Sequence, residues 1–327
     1  MVIDFWDVGQ GNCCVIKLDD NSLIIIDVGR RGSPLVDWLN DRPSFPTIRT
    51  IVLTHNDADH AGALPAIVAR GGASIEGVCA LVDRNIEAPA FQKILEAVRG
   101  GERNGFFRLE RLERNKIIWE DAAKGIRLIA VYPGMLDNID AANPNDTSGI
   151  ICLEIKGKTE LIWPGDVPMQ KMGESCHDTE PYAITGPHHG APSDVRTPAS
   201  REAIRAVRPK FNFISVGTHN SYSHPRLRFI RQLEVEGCRV RCSQLTYRCE
   251  RLRVNARDHV LKTHGYLGLR APRGKYVSCR GPWRLTLTNG QFVPDRWDEE
   301  HLRIIATLKR PQCLLGRGWK RGDQPFQ

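Results

Sequence analysis

Short apolar runs separated by polar turns fill most of the chain, and the period of each run predicts its secondary structure. Strands are predicted at residues 2–6, 13–18, 23–26, 48–53, 78–82, 116–119, 126–132, 150–155, 159–163, 182–185 and 210–216. Helices are predicted at residues 34–40, 62–70, 88–98, 167–176 and 200–207, and a charged surface excursion is predicted at residues 102–116. Strands that alternate with helices in this way are typical of an α/β fold.

Two further elements are predicted after residue 246. Alternating apolar positions around Asn289-Gly290 predict a hairpin at residues 283–293, because Asn-Gly favours the tight turn of a hairpin. An acidic start and apolar spacing predict a helix at residues 298–308. We therefore expect a large α/β domain at residues 1–246 and a small, partly folded, basic C-terminal extension at residues 247–327.

A cluster of metal-capable side chains follows the predicted strand at residues 48–53. Within six residues the chain places His55, Asp57, Asp59 and His60. Imidazole and carboxylate groups are the usual ligands of catalytic divalent ions, and α/β folds place their chemistry at the carboxyl ends of strands. The cluster therefore predicts a metal site, with a solvated turn as the alternative.

Similar clusters follow other predicted strands, at residues 146–166, 188–189 and 219–224. We expect their loops to converge on one rim. A two-metal hydrolytic site needs two sets of nitrogen and oxygen ligands and a carboxylate that can bridge them. Asp166 is the best candidate for the bridge, and His188 or His189 completes the second set, with His189 favoured as ligand. The two sets are His55 with Asp57, and Asp59 with His60.

Several motifs in this order resemble those of known hydrolases. Three resemble the metallo-β-lactamase superfamily: His55-x-Asp57-x-Asp59-His60, Gly165-Asp166 and His188-His189-Gly190. Others are similar to the metallo-hydrolase domain of ComEC-type competence DNA-uptake proteins: Asp7-Val8-Gly9-Gln10-Gly11-Asn12, Pro187-His188-His189-Gly190, Ser215-Val216-Gly217 and Asn220-x-Tyr222-x-His224-Pro225. The resemblance runs from about residue 2 to 246. It implies a four-layer αββα sandwich with the site at one edge.

The resemblance also implies metal-assisted hydrolysis, most commonly of phosphodiesters, through a hydroxide held between two metal ions. Asp57 stands where most of the superfamily has His, so oxygen ligands are more numerous and the expected preference shifts from Zn²⁺ toward Mn²⁺ or Mg²⁺. We therefore expect two divalent ions, Mn²⁺ or Zn²⁺, with Mg²⁺ as a further option. The His of the superfamily's third motif is missing; either Asp146 replaces that ligand, or Ser148 only caps the loop.

The resemblance suggests roles for the remaining candidates. Asp59 is expected to take part in catalysis as well as in metal binding, and His188, the neighbour of the favoured ligand His189, is expected to contact the transition state or to support the ligands. His224 is expected to be a proton donor or a phosphate contact, with bracing of its loop as the alternative. Other residues are expected to shape the rim, support the ligands or contact substrate: Asp7, Gln10, Ser148, Asn220 and Tyr222. Asp27 is interpreted as the end of a strand, and His264 and His301 match no motif.

Charge and cysteine content add a possible partner and a compartment. Residues 238–327 carry 19 Lys and Arg and 7 Asp and Glu, although the whole chain has a net charge of only +8. Such a basic segment favours a polyanion, with a solvated surface as the alternative. The cysteines are expected to be reduced for the most part; a zinc site of Cys242, Cys249, Cys279 and Cys313 is an alternative, but their spacing lacks C-x2-C pairs. No apolar run suggests a membrane span or signal peptide, so we expect a cytoplasmic protein.

The sequence thus predicts a metal-dependent phosphodiesterase, most specifically a nuclease, whose basic extension positions nucleic acid. The multi-helix membrane channel of the uptake proteins is not expected in this chain, so we do not expect DNA transport. One alternative is a hydrolase of phosphorylcholine esters or lactones. Another is a regulatory or binding component of a bacterial defence or DNA-handling system, with partner proteins from the same operon.

Overall fold

A computed structural model describes residues 1–81, 89–134, 144–191, 197–249, 264–273, 276–308 and 311–315. Its strands are β1 (Val2–Phe5), β2 (Cys13–Lys17), β3 (Leu23–Val28), β4 (Ile48–Val52), β5 (Gly77–Ala80), β6 (Arg108–Arg111), β7 (Lys116–Asp121), β8 (Ile126–Tyr132), β9 (Ile150–Ile155), β10 (Lys158–Trp163), β11 (Ala183–Thr185), β12 (Phe211–Ile214), β13 (Arg239–Cys242), β14 (Trp283–Thr288) and β15 (Gln291–Pro294).

The helices alternate with these strands as the sequence pattern predicts. They are α1 (Pro34–Asn40), α2 (Ala58–Ala61), α3 (Leu64–Gly71), α4 (Pro89–Arg103), α5 (Met169–Ser175), α6 (Pro198–Val207), α7 (Leu227–Val235), α8 (Trp297–Thr307) and α9 (Gln312–Leu315). Among the residues listed at the head of this section, no helix is long and apolar enough to cross a bilayer.

The strands form two mixed sheets. The eight-stranded sheet has the order β15-β14-β1-β2-β3-β4-β5-β6, and the seven-stranded sheet has the order β13-β12-β11-β10-β9-β8-β7. In the first sheet β3 to β6 are parallel, and in the second β10 to β13 are parallel. Parallel neighbours end at the same edge of a sheet, so the loops after these strands share one rim.

Three apolar clusters fill the space between and around the sheets. Phe5 of β1 stacks on Trp163 of β10 and on Trp283 of β14, with ring centroids 6.2 and 5.3 Å apart, so the two sheets face each other. The outer face of the first sheet packs on α1, α3 and α4, and that of the second packs on α5, α6 and α7. This helix, sheet, sheet, helix order confirms the predicted αββα sandwich.

Some predicted elements are wrong in detail. The surface excursion at residues 102–116 contains β6, whose Leu109 pairs in parallel with Val78 of β5. The helix predicted at residues 62–70 is α3, shifted by one or two residues, and a separate short helix that was not predicted, α2, precedes it inside the His/Asp cluster. Neither α7 nor β13 was predicted from the pattern.

The extension contributes to the first sheet. The hairpin of β14 and β15 forms at the predicted place, with Thr288 opposite Gln291 across the Asn-Gly turn. β14 pairs antiparallel with β1, and Trp283 at its start is fully buried. The boundary at residue 246 stays a prediction, but the hairpin lies within the sheet of the larger domain.

Candidate metal centre

Asp166, in the loop after β10, lies at the middle of a cluster of imidazole rings. Its Oδ1 is 3.1 Å from His60 Nε2 and 3.7 Å from His189 Nε2. Its Oδ2 is 3.7 Å from both His55 Nε2 and His188 Nε2. The two oxygens thus face different rings, which is the placement that a bridging carboxylate requires.

The ligands around Asp166 form two sets. The first, which we call the inner group, consists of Asp59, His60 and His189; His189 Nε2 is 3.4 Å from Asp59 Oδ2 and 3.3 Å from His60 Nε2. Their ligand atoms all lie within 4.8 Å of one another. The inner group therefore combines a carboxylate from the His/Asp cluster with a ring from the loop after β11.

The second set, the outer group, consists of His55, Asp57 and His188. His55 Nε2 is 3.7 Å from Asp57 Oδ2. The side chain of Asp57 is 43% exposed and that of His188 is 28% exposed, whereas the ring of His55 is buried. The distances are compatible with the predicted pairs His55–Asp57 and Asp59–His60, but His188 faces the same oxygen of Asp166 as His55 does, which was not predicted. The role of each residue stays a prediction.

Asp27, at the end of β3, supports the inner group. It is buried, and its Oδ2 is 2.8 Å from His60 Nδ1, while Thr54 donates its backbone N–H to Oδ1. A carboxylate on the far nitrogen of an imidazole fixes the ring and leaves Nε2 as the ligand. Asp27 therefore lies at the end of a strand, as interpreted from the sequence, but it also supports His60, which we did not predict. The signal was available, because Asp27, like Asp166, is a carboxylate just past an apolar run.

His188 and His189 occupy a turn with unusual backbone angles. Their φ values are +43° and +51°, in the left-handed region that L-residues other than glycine rarely adopt. His189 Nδ1 lies 2.8 Å from the carbonyl oxygen of Ser215, to which it can donate, so that Nε2 points at the inner group. The turn therefore directs two consecutive rings toward opposite oxygens of Asp166.

Charges within the centre are strongly coupled. Burial alone would lower the pKa of His60, but the carboxylates of Asp166 and Asp27 outweigh it and raise that pKa well above its ordinary value. Burial alone would raise the pKa of Asp166, but the charges on His60 and His189 hold it well below its ordinary value. Burial and the charge on His60 lower the pKa of His55 to about 4. Protons and divalent ions therefore compete for the same ligand atoms.

The centre meets two tests of fit to divalent ions. Among the described residues, His55 Nε2 is buried without a hydrogen-bond partner, although it faces Asp57 and Asp166. Ligand atoms that share a tetrahedral ion at about 2.1 Å lie about 3.4 Å apart. Seven separations between these ligand atoms, four of them to Asp166, run from 3.1 to 3.7 Å. These residues therefore suit metal binding; which ions and how many they hold stays a prediction.

His224 lies beside the two consecutive histidines. Its ring centroid is 5.7 Å from that of His188 and 6.5 Å from that of His189. Asn220 braces the loop, since its Oδ1 accepts from His224 N at 2.8 Å and its Nδ2 donates to His224 O at 3.1 Å. Burial, and then the charges on His189 and His188, lower the pKa of His224 to about 4. The exposed ring of Tyr222 packs on the other side, 5.7 Å away.

The loop before β9 approaches the outer group differently from our prediction. Asn145 Nδ2 lies 3.4 Å from His188 Nε2, whereas Asp146 is held through its carbonyl oxygen, which accepts from Tyr132 Oη. In the part of the chain that the structure describes, no group of three ligand atoms within 4.8 Å of one another includes an atom of Asp146. Ser148 is fully buried, and its Oγ has no hydrogen-bond partner. The ligand role of Asp146 stays a prediction, and the contact from Asn145 was missed.

The loop after β1 supports the cluster through its backbone. At Gly11, with φ of +137°, a Cβ would lie 2.3 Å from the carbonyl oxygen of Asp59, so only glycine permits this approach. Asp7 lies farther away; it is buried and accepts from Gln244 Nε2 at 2.8 Å. Gln10 is buried between the loop and the rim. Both residues thus lie where support of the rim was predicted.

A cavity of about 630 Å³ opens beside Asp59. It lies between the loops after β1, β3 and β12 and three residues of the extension, Pro272, Arg273 and Tyr276. Asp59 is the one acidic residue among the described residues of its lining. Cationic and aromatic side chains on the lining are Arg30, Arg31, Arg273, His219, Tyr222 and Tyr276. We did not predict that Arg30 and Arg31 line this cavity, because the sequence pattern does not show that the loop after β3 lies beside Asp59.

Comparison with known proteins identifies the fold family. Residues 6–162 match the metallo-beta-lactamase superfamily. ComE operon protein 3 of Bacillus subtilis (strain 168) is 22% identical over 263 residues, which are 73% of this chain and 31% of that protein, so the chain spans less than a third of that relative's length.

Two solved structures are similar at low identity. Igni18, a metallo hydrolase from the archaeon Ignicoccus hospitalis, is 18% identical with a TM-score of 0.46, covering 74% of this chain and 95% of that chain. The metallo-beta-lactamase fold protein YhfI from Bacillus subtilis is 8% identical with a TM-score of 0.46 and the same coverages.

The matched segment carries most of the observed centre. It extends from the loop after β1 into β10 and includes the inner and outer ligands that precede Asp166. The two facing sheets, the His/Asp cluster at their edge and the family match agree with the resemblance found in the motifs. The chain therefore contains a metallo-β-lactamase superfamily domain and has the fold of that superfamily's hydrolases.

Proposed function

We propose that this hydrolase is a metal-dependent phosphodiesterase that cleaves nucleic acid. The observation that carries the proposal is the cavity beside Asp59, because its lining combines arginines with tyrosine rings. Guanidinium groups bind phosphate through paired N–H donors, and aromatic rings stack on bases. A lactone or a small neutral ester has no charge that this lining would recognise. The motif resemblance to DNA-uptake proteins supports the same substrate class.

The metal ligands, the cavity arginines and His224 would have different roles in the reaction. Two divalent ions, when held by the inner and outer groups with Asp166, lower the pKa of a bound water and offset the charge on phosphate. Arg30 and Arg31 on the cavity wall would orient the phosphate backbone. The charge of a phosphate beside His224 raises the pKa of that ring, which suits it to give a proton to the leaving oxygen.

The contact with the polyanion is proposed for the cavity, with the extension in a smaller role than the sequence suggested. Arg273 and Tyr276 of the extension line the cavity, but Arg273 is paired with Asp37 at 2.7 Å. Arg280 and Arg284 are likewise paired, with Asp295 and Asp4, each at 2.6 Å. Arginines that neutralise carboxylates within the fold contribute little to the release of counterions from a nucleic acid.

The proposal is tested with the purified full chain and Mn²⁺ on single-stranded DNA, double-stranded DNA and RNA. We expect cleavage by the unaltered chain and a loss of at least about 10³-fold in Asp166→Asn, because both groups depend on that carboxylate. Thermal unfolding of both proteins checks that the fold persists. Inertness on all three nucleic acids together with turnover of a lactone or a phosphorylcholine ester would overturn the proposal.

The cavity is tested by reversing its charge in the double variant Arg30→Glu, Arg31→Glu. We expect KM for an oligonucleotide to rise about tenfold or more and the dependence of KM on salt to flatten, because fewer counterions are released. Arg201→Glu is the matched control, since Arg201 is exposed on α6, away from the cavity. Equal losses in both proteins would mean that the cavity is not the binding surface.

A further inference from the structure

Four cysteines from separate segments of the chain, three of them in the extension, come together at one place. They lie at the end of β13, in the turn that follows, before β14 and on α9, and they are Cys242, Cys249, Cys279 and Cys313. All four line a small closed cavity of about 10 Å³. A cavity of this size holds one water or a single ion, and it has no room for an iron–sulfur cluster.

A histidine completes the surroundings. His301 of α8 is fully buried, and its Nε2 is 3.3 Å from Cys279 Sγ. Sulfur and nitrogen ligands of one tetrahedral Zn²⁺, at about 2.3 and 2.0 Å from it, lie about 3.5 Å apart. The same distance also suits a hydrogen bond from the ring to a thiolate. Either way, a polar group is directed at the sulfur of Cys279.

The four thiols are near enough to affect one another. Burial, and then charge on Cys279, Cys249 and Cys313, raises the pKa of Cys242 well above its ordinary value. Burial, and then charge on Cys279 and Cys249, does the same to the pKa of Cys313. Among the described residues, every group of three ligand atoms within 4.8 Å of one another belongs to the metal centre around Asp166. The four sulfurs are therefore farther apart than ligands of one ion, and binding of an ion would draw them together. A divalent cation would replace their protons.

We propose that Cys242, Cys249, Cys279 and Cys313 bind a structural zinc ion, with the ring of His301 donating to the Cys279 sulfur. Thiolates select Zn²⁺ over the harder Mn²⁺ and Mg²⁺, and four protein ligands leave no open position for a substrate. The family match ends at residue 162, before any of these cysteines. This site is therefore separate from the metal centre in ligand type, position and role.

The ion would fasten the extension to the rim of the cavity beside Asp59. Gln244 lies two residues after Cys242; it donates to Asp7 and accepts from Thr218 N, both at 2.8 Å. Fixing Cys242 and Cys249 on either side of Gln244 fixes these rim contacts. Zinc at this site thus acts on the metal centre by positioning its rim, and it does not contact the reacting atoms.

The first test is zinc analysis of the full chain carrying Asp166→Ala, which disables the metal centre. We expect one equivalent of zinc to remain, to be lost in the additional variant Cys242→Ala, and to be kept in Cys238→Ala. Cys238 is a matched control because it is fully buried immediately before the same strand and does not line this cavity. Iron in place of zinc, or equal zinc in the Cys242 and Cys238 variants, would overturn the proposal.

The second test needs no folded variant. The unaltered chain is loaded with Co²⁺, and its near-ultraviolet spectrum is recorded for thiolate-to-cobalt charge transfer. We expect that band, because the inner and outer groups offer only nitrogen and oxygen and cannot produce it. Absence of the band, or a thiol count that shows a disulfide among the four cysteines in the freshly purified protein, would refute the zinc site independently of any nuclease activity.

Discussion

The inner and outer groups of the metal centre use the same residue types but differ in how their neighbours hold them. In the inner group, His60 is fixed by Asp27 and His189 by the carbonyl of Ser215, each at 2.8 Å. In the outer group, Asp57 is 43% exposed, compared with 27% for the inner carboxylate Asp59, and His188 is 28% exposed, compared with 1% for His189. Ligands held in place before binding lose less conformational entropy when an ion arrives. We therefore expect tighter metal binding at the inner group and easier rearrangement at the outer group.

The largest effect is expected from His60→Ala. A ligand atom of His60 lies within 4.8 Å of those of His55 and Asp166 and also of those of Asp59 and His189. Its removal should therefore eliminate the inner ion and lower the rate of hydrolysis by at least about 10³-fold. Metal stoichiometry by elemental analysis, together with kcat, measures both effects. A variant that keeps its full metal content would show that the inner group is not organised around this ring.

A smaller effect is expected from Asp27→Asn, which keeps the shape of the side chain and removes its charge. Loss of a carboxylate behind a metal-binding imidazole typically weakens metal binding by about 10- to 100-fold. Titration of the metal-free chain with Mn²⁺ measures this change. Asp20→Asn is the control, because Asp20 is an exposed carboxylate in the turn between β2 and β3 that pairs with Arg49. If the two variants bind Mn²⁺ with equal affinity, the contact between Asp27 and His60 does not contribute to the free energy of metal binding.

The smallest effect on rate, and the clearest on selectivity, is expected from Asp57→His. The change replaces an oxygen with a nitrogen in the exposed group and restores the superfamily's His-x-His pattern. We expect the ratio of activity with Zn²⁺ to activity with Mn²⁺ to rise about tenfold, since imidazole favours the softer ion. Parallel assays with each metal measure the ratio. An unchanged ratio would mean that Asp57 does not decide metal preference.

Local pattern predicted much of this molecule, because strands and turns leave a period in the sequence. The helix Pro34–Asn40 and the hairpin around Asn289-Gly290 lie where they were predicted. β6 was missed because Arg108–Arg111 is a charged edge strand that only its pairing with β5 defines. Neither propensity nor period carries that tertiary information.

The site was predictable where several ligands lie close together in sequence. His55 to His60 form one cluster, and its partners follow other strands, so their meeting could be expected. Asp27 was missed because a single carboxylate has no period, and its partner His60 lies 33 residues away. The four cysteines also lack a recognisable spacing in the sequence. They and His301 lie on five separate segments that only the fold brings together.

The pairing of β14 with β1 delays folding during synthesis. Val2–Phe5 leaves the ribosome long before Trp283–Thr288, its neighbour in the first sheet. Until then one edge of β1 has free backbone hydrogen-bonding groups, and Phe5 lacks the indole ring of Trp283 that covers it. Unpaired strand edges associate readily with other chains, and pairings between distant residues form slowly. We therefore expect the first sheet to be completed at β1 only after these last strands have been made.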